Sequence, residues 1–377
     1  MLKIGFDAKR IVRNGTGLGA YGRTLVNDLA ARQADDLQLL LYAPDAGRED
    51  LRSQVSERPG LRYVYPEGRQ LLGRSWWRMH GIVTDLQRDG VALYHGLTGE
   101  LPIGLRRAGI PGVVTIHDLI FLRHPEYYHW VDTRIYAWKF RVACREASRI
   151  IAISERTKQD IVELGGVSPE LIDVIYQSCN PRFSVPLSAD ALQQARQRLS
   201  LPERFVLSVG SIEERKNVLL LVRALQRLPQ DIHLVVVGRH TPYTDRVTAY
   251  ASQHGLSQRL HIMHGVADQD LQAIYQLAEV FAYPSRYEGF GIPIIEAIFS
   301  QLPVVACTGS CLEEAGGPDC LYVGPDDAEA MAHSICQLLR GADGREGRIA
   351  RSTDYVQRFR GRDVAAQVVD IYRQVLA

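Results

Sequence analysis

Nowhere in the 377 residues do about 18 apolar side chains run together, the length that a membrane-crossing helix needs. The opening residues, MLKIGFDAKR, lack the apolar run and small-residue cleavage site of a signal peptide and read instead as a first strand. Neither sign of charge is in excess: 44 basic against 43 acidic side chains leave a net charge of +1. No global field draws such a chain to nucleic acid, which excludes a non-specific polyanion binder. The six cysteines, at 144, 179, 307, 311, 320 and 336, follow no compact disulfide framework. Without a secretion signal they read as reduced thiols in a cytoplasm. Cys307, Cys311 and Cys320 have no histidine at ligand spacing, so no metal site is expected. No internal sequence repeat or low-complexity tract is evident.

What is present is the balance of a folded globular protein, with 46% hydrophobic and 23% charged residues. The length suggests two domains or three. Short apolar runs alternate with helical patterns. Leu2 to Phe6, Leu37 to Tyr42, Ala92 to His95, Gly112 to Ile116 and Ile150 to Ile153 read as buried strands. Amphipathic segments such as Tyr21 to Arg32 and Thr133 to Ala147 lie between them. From Phe205 the rhythm restarts with FVLSVG, IHLVVVG, LHIMHG, VFAYPS and PVVAC, each followed by a helical segment except the last. Near-continuous Val/Ile/Leu strands separated by helices imply parallel sheets covered on both faces. The expected fold class is α/β, with two Rossmann-like, doubly wound parallel-sheet domains facing a central cleft. Residues 1–180 would form the first domain, 200–355 the second, and 356–377 a final helix. The polar, turn-rich stretch from Gln177 to Glu203 would link them.

Ligands of such sheets bind outside the carboxyl ends of the strands, so the loops after strands carry the candidates. Tyr283-Pro-Ser-Arg-Tyr-Glu-Gly-Phe-Gly-Ile-Pro-Ile-Ile-Glu296 places a strand, a glycine-bearing loop and a helix start in succession. Pro293 fits a first helical position. Glu288 falls in the loop and Glu296 in about the first helical turn, where a lone carboxylate would merely complement the helix dipole. A loop glutamate, two glycines and a helix start together point further, to a closely approached anionic ligand. In Ser208-Val-Gly-Ser-Ile-Glu-Glu-Arg-Lys-Asn217, Arg215 and Lys216 stand before the helical segment VLLLVRAL, where the dipole disfavours cations. An anion carrying two or more charges would offset that placement; the alternative is a plain surface turn. Thr115-Ile-His-Asp-Leu119 ends a first-domain strand. His117 there reads as a hydroxyl sensor or general base, or equally as a satisfied histidine at a strand end; Asp118 would orient a hydroxyl.

Gly17-Leu-Gly-Ala-Tyr-Gly22 has the G-x-G-x-x-G pattern of a dinucleotide turn, and Asp45 lies 23 residues further on. Yet Gly17 comes nine residues after Ala8, where the strand ends, and a dinucleotide turn follows its strand almost directly. The stretch reads better as a flexible loop ahead of a helix starting at Tyr21, with backbone N–H groups for a phosphate. Trp76 and Trp77, between Arg74 and Arg78 and beside Leu71 and Leu72, read as half-buried packing residues or as a membrane-touching segment. Tyr127, Tyr128 and Trp130 would stack on sugar rings or simply pack. Ser154 reads as a helix cap.

Together these stretches resemble the retaining, nucleotide-sugar-dependent glycosyltransferases of group 1, or family four, with the GT-B fold. Glu288 and Glu296, with seven residues between them, look like that family's paired-glutamate motif. SVGSIEERKN looks like its diphosphate turn, GTGLGAYGRTL like its glycine loop, and TIHDL like its first-domain histidine motif. Some relatives carry an arginine where Ser211 stands. The resemblance implies that Arg215 and Lys216 bind the donor diphosphate and that Glu296 binds the ribose hydroxyls. Glu288, with the backbone around Phe290 and Gly291, would hold the donor sugar and steady its departure. His117 would contact a donor-sugar hydroxyl, and Gly17 and Gly19 would close over the phosphate and acceptor. The final helix would cross back to the first domain.

The activity implied is transfer of a hexose, such as mannose, from a GDP- or UDP-sugar to a hydroxyl of a glycan or lipid-linked acceptor, in bacterial cell-surface polysaccharide synthesis. No cofactor or metal would be required, and no nucleic acid would be a partner. The expected location is the cytoplasm, with peripheral contact to the inner face of the membrane. Alternatives are a nucleotide-sugar epimerase or phosphorylase on the same plan, a nicotinamide oxidoreductase favoured only by GLGAYG and Asp45, and a non-catalytic nucleotide-sugar-binding protein.

Overall fold

In the computed structural model, which describes residues 2–32, 37–66, 73–360 and 363–377, the chain forms two units. One comprises Met1–Tyr176 with Asp363–Ala377, the other Gln177–Arg362. The first unit holds a seven-stranded sheet of order β3-β2-β1-β4-β5-β6-β7. Its strands are β1 Leu2–Asp7, β2 Leu37–Tyr42, β3 Leu61–Val64, β4 Leu93–Gly96, β5 Gly112–Ile116, β6 Ala147–Ala152 and β7 Ile172–Val174. Every pairing is parallel. Alternation along β2 shows why these strands are apolar throughout. Leu39 and Leu41 pack with Ile4 and Phe6 on one face, while Leu40 and Tyr42 join Tyr94 and Val114 on the other. Both faces are covered, so neither tolerates a polar run.

Helix α1 (Lys9–Arg13) and α2 (Gly17–Arg32) follow β1, and α3 (Trp130–Glu146) precedes β6. Val26 and Leu29 of α2 pack on the first face, and Phe140 and Ala143 of α3 on the second. The C-terminal helix, Val364–Leu376, belongs to this unit and adds Val368 and Tyr372 to the first face. Tyr372 also joins a polar string inside the core: its hydroxyl lies 2.6 Å from His95 Nδ1, and His95 Nε2 lies 2.9 Å from Thr115 Oγ1.

The second unit has a six-stranded parallel sheet of order β10-β9-β8-β11-β12-β13. Its strands are β8 Phe205–Val209, β9 His233–Val237, β10 Leu260–Met263, β11 Val280–Tyr283, β12 Val304–Cys307 and β13 Leu321–Val323. Helices α4 (Ala189–Arg198), α5 (Val218–Leu225), α6 (Asp268–Leu277) and α7 (Ile292–Phe299) flank it. The strands read from the sequence are all present. Three more, β3, β7 and β13, lie at sheet edges and carry half-buried residues, so their short segments show no continuous apolar run.

The glycine stretch requires a correction. Gly17–Arg32 is one continuous helix, so Gly17 and Gly19 open its first turn and do not form a loop ahead of Tyr21. Gly19 is fixed by sterics: a Cβ there would stand 1.9 Å from the Asn14 carbonyl oxygen, whereas a Cβ on Gly17 would meet nothing within 4 Å. The Trp76–Trp77 pair divides in the same way between packing and exposure. Trp77 is buried and its Nε1 donates to Asp85 at 2.7 Å, whereas Trp76 is exposed and stacks on His80. Leu71 and Leu72 lie outside the described residues. Ser154 caps its helix by accepting from Thr157 N.

The two glycines should separate in a denaturant titration. Gly19→Ala should lose about 1–3 kcal/mol, because backbone must move to admit the methyl group. Gly17→Ala should be neutral or gain up to about 1 kcal/mol, since it restricts the unfolded chain without a clash.

Candidate functional site

Strand order dictates where each unit can bind a ligand. In an open parallel sheet a crevice forms at the carboxyl ends of two neighbouring strands whose connections run in opposite directions. In the second unit that reversal lies between β8 and β11, and in the first between β1 and β4. The loops leaving β8 and β11 carry Arg215, Lys216 and Glu288, and the structure brings these three together.

Glu288 is the centre of that cluster. Lys216 Nζ stands 2.6 Å from its Oε1, and Arg215 Nη1 3.0 Å from its Oε2. The three side chains are only 11–16% exposed. Arg215 also donates to the Tyr287 carbonyl at 2.7 Å and reaches Glu213 at 3.1 Å. Ser211, in place of the arginine of some relatives, donates to the same Glu213 oxygen at 2.7 Å. Lys216 donates to the Tyr283 hydroxyl at 2.8 Å, and that hydroxyl lies 3.3 Å from Glu288. A loop carboxylate thus neutralises part of the charge of the two cations in the protein itself.

The turn that aims these cations is held by backbone and by one asparagine. Asn217 adopts a left-handed conformation at φ 55°, which asparagine tolerates better than most residues. Its side-chain amide donates to the Pro284 and Pro325 carbonyls at 3.2 and 2.7 Å. Arg286 N donates to the Arg215 carbonyl at 2.9 Å, tying the β11 loop to the β8 loop directly. Below them, Gly291 caps α7 at φ 139°, and a Cβ there would crowd Ala315 at 3.1 Å. Phe290 is buried, edge-on to Phe359 at 5.4 Å. Its carbonyl and that of Glu288 both accept from the Cys311 thiol.

Glu296 lies further along α7, on a different partner. The Tyr275 hydroxyl of α6 donates to its Oε2 at 2.9 Å. An aromatic row, Tyr275, Phe281 and Tyr283, runs from this carboxyl towards the Glu288 cluster at centroid spacings of 5.5 and 5.8 Å. The two glutamates are thus electrostatic opposites. Burial pushes Glu288 upward, but Lys216 and Arg215 outweigh it and hold the carboxyl at about 2. Burial dominates at Glu296 and raises it to about 7, against the hydrogen bond from Tyr275 and the charge of Arg182. A glutamate fixed as an anion and one titrating near neutrality are different chemical tools.

In the first unit, the segments that follow β1, β4 and β5, with helix α3, line a cavity of about 280 Å³. His117 and Asp118 line it together with Arg10, Leu18, Glu100 and Lys139, and with Phe121, Tyr128, Tyr136 and Phe140 as an aromatic side. His117 is buried, and burial lowers its pKa to about 4. It is a neutral imidazole at pH 7 whose Nε2 lies 2.9 Å from the Leu97 carbonyl. A carbonyl only accepts, so Nε2 carries the proton and Nδ1 is the acceptor nitrogen. Asp118 accepts from Ile120 N at 3.2 Å. The glycine stretch finds its purpose here. Tyr21, inside GLGAYG, packs edge-on against His117 at 4.7 Å, and its hydroxyl lies 3.2 Å from Thr115 Oγ1.

Sequence reasoning missed several residues of both sites. Arg78 is held between Asp7 at 2.6 Å and Glu100 at 3.0 Å, and Lys139 completes the group 3.1 Å from Glu100. Tyr275 and Tyr283 were visible only as strand and helix residues. Asp45, the acidic residue of the dinucleotide pattern, is engaged by Arg13 and by Arg74 at 2.7 Å.

Two substitutions probe the electrostatics. Glu288→Gln leaves two largely desolvated cations without their carboxylate and should cost on the order of 3 kcal/mol of stability, seen as a lower denaturant midpoint. Because the Glu296 pKa is raised on folding, its stabilising contribution is complete below about 4.5 and is lost as pH rises through about 7. Glu296→Gln should therefore gain stability relative to wild type across that window and be unaffected below it.

Comparison with known proteins gives the family. Residues 16–183 match the model of Glycosyltransferase Family 4, and residues 191–353 that of Glycosyl transferases group 1. The O-antigen chain mannosyltransferase B of Escherichia coli is 26% identical, over 99% of this chain and 100% of its own. The MMP α-(1→4)-mannosyltransferase of Mycolicibacterium hassiacum is 28% identical over 78% of this chain and 71% of its own. Among solved structures, HepE of Anabaena in complex with UDP and glucose has a TM-score of 0.78 at 20% identity, covering 99% of this chain and 100% of its own. With two parallel Rossmann-like sheets and family matches spanning both units, the chain belongs to the group 1 glycosyltransferases of the GT-B fold.

Proposed function

We propose that the protein is a retaining hexosyltransferase that moves mannose from a nucleoside-diphosphate sugar, GDP-mannose in the first instance, to a hydroxyl of a glycan or lipid-linked acceptor. The observation that carries this reading is the convergence of Arg215 and Lys216 on Glu288 at the β8/β11 reversal. Negative charge grows on the leaving diphosphate as the glycosidic bond breaks. Two fixed cations stabilise that charge without reorganising, which is the largest single term in many such reactions. The anionic Glu288 suits the other half of the transition state, accepting from sugar hydroxyls and countering the positive charge that builds at the anomeric carbon. With its pKa near 2 it does not serve as a proton donor.

Glu296 would accept from the ribose hydroxyls, and the Phe290–Gly291 backbone would lie against the donor sugar. His117 would recognise a sugar hydroxyl through its acceptor nitrogen, with Asp118 orienting a second. Gly17 and Gly19 would contribute through the first turn of α2, whose Leu18 lines the His117 cavity. Attack from the same face as the departing phosphate, whose oxygen takes the acceptor proton, would retain the anomeric configuration. The mannosyltransferase names of the relatives support the choice of sugar, and the O-antigen named for the Escherichia coli relative supports cell-surface polysaccharide as the product. The location that goes with this reading is the cytoplasmic side of the membrane.

Calorimetric titration with GDP, UDP and their sugars, beside a transfer assay, tests the assignment. Arg215→Ala and Lys216→Ala should each weaken diphosphate binding and slow transfer by about a hundredfold. Glu288→Gln should bind nucleoside diphosphate at least as tightly as wild type, since it removes a competing anion, yet lose transfer. Unchanged binding in both cation variants contradicts the proposal. Donor binding with no turnover on any acceptor would favour a binding protein, and acceptor-independent release of an epimerised donor would favour an epimerase.

A further inference from the structure

The edge strand β3 and residues 49–58, on the way from β2 to β3, line a groove of about 630 Å³ that has no role in the reading above. Tyr63 and Tyr65 face it. Two residues apart on extended backbone, they project to the same side. Their rings are parallel to within 3° at a centroid spacing of 6.2 Å. Tyr65 is 36% exposed, whereas Tyr63 packs against the apolar core of the first unit. The Tyr63 hydroxyl is nevertheless buried with no hydrogen-bond partner among the described residues. A hydroxyl left in that state costs free energy that a partner recovers, so a ligand bearing hydroxyls gains by meeting it.

The charged lining narrows the class of ligand. Glu49 and Glu57 balance Arg52 and Arg58, and Glu49 is ion-paired with Arg52. With no net charge the groove rewards neither an anion nor a cation. Carboxylates accept hydrogen bonds and guanidiniums donate them, so the mixture suits a ligand that does both at many points. The paired rings add a flat apolar surface, which packs against C–H groups. A neutral sugar carries both features, a rim of hydroxyls and an apolar ring face. β3 stands two strands from β1, about 10 Å across the sheet, and the segment after β1 lines the His117 cavity. We propose that the β3 groove is a binding subsite for a neutral glycan chain, holding sugars of the acceptor or product that are remote from the reacting end. This rests on the reading of the acceptor as a glycan, while the paired rings, the unpartnered hydroxyl and the balanced lining are independent of the donor site.

Native electrophoresis of the full-length protein through gels cast with mannan, dextran or galactan tests it, with no nucleotide present. Wild type should be retarded by at least one of the three. Calorimetry should then show a tetrasaccharide of that glycan bound about tenfold more tightly than its monosaccharide. Tyr65→Ala should weaken tetrasaccharide binding by about fivefold through lost ring contact, with circular dichroism unchanged. Tyr63→Phe should weaken it by about threefold and yet raise the denaturant midpoint of the free protein, because the unpaired hydroxyl is gone. A tyrosine with only a packing role would not move binding and stability in opposite directions. No retardation in any gel overturns the proposal, as does binding that both tyrosine substitutions leave intact. Binding lost in His117→Ala but kept in the tyrosine variants would seat the whole glycan in the first cavity and overturn it too. Retardation that the tyrosine substitutions abolish, in a protein that transfers no sugar, sustains the groove and counts against the transfer reading instead.

Discussion

The carboxylate of Glu288 is the constraint around which the second unit is arranged. Two cations cannot be packed side by side and largely out of water without an anion between them, because desolvation costs several kcal/mol per ion. Glu288 supplies that anion, with Lys216 at 2.6 Å and Arg215 at 3.0 Å. This requires the β8 and β11 loops to stay in fixed register, which Asn217 and the Arg286–Arg215 backbone hydrogen bond provide. A cation pair so held would suit the diphosphate of the proposed donor, because its geometry is set before the ligand arrives.

Parallel-sheet topology explains why the candidate residues lie where they do in both units. Neighbouring strands with oppositely running connections, β1 with β4 and β8 with β11, leave a space at their carboxyl ends that no crossover helix fills. Polar side chains in those loops can be buried against one another without interrupting an apolar layer. In the first unit the space holds a neutral histidine among aromatic rings. In the second it holds an ion triad and, along α7, a carboxyl near its titration point. A sugar with hydroxyls suits the first environment, and a nucleoside diphosphate the second.

Much of this was legible from the chain because burial on both sheet faces forces unbroken Val/Ile/Leu runs. LQLLLY and HLVVV could be read as strands without knowing their neighbours. Edge strands such as LRYV and IDV could not, since half their side chains meet solvent. Glu288, Arg215 and Lys216 were recognisable from position after strands, but their mutual pairing was not, because 72 residues separate Arg215 from Tyr287, which its guanidinium also meets. Arg78 and Lys139 reach Glu100 from helices that the linear pattern gives no reason to connect. GLGAYG misled in the opposite direction. Its glycines suggested a loop, but Gly19 is required by the close approach of the Asn14 carbonyl, and the stretch continues as a helix that seats Tyr21 against His117.

The central claim is that the β8 and β11 loops form one diphosphate site. Hydrogen–deuterium exchange with and without GDP or UDP measures this directly, since ligation protects the amides it orders. Slower exchange in peptides covering Gly210–Asn217 and Ser285–Gly291, lost in Lys216→Ala, is the result this account predicts. Protection by nucleotide elsewhere, with these two loops unchanged, would contradict it.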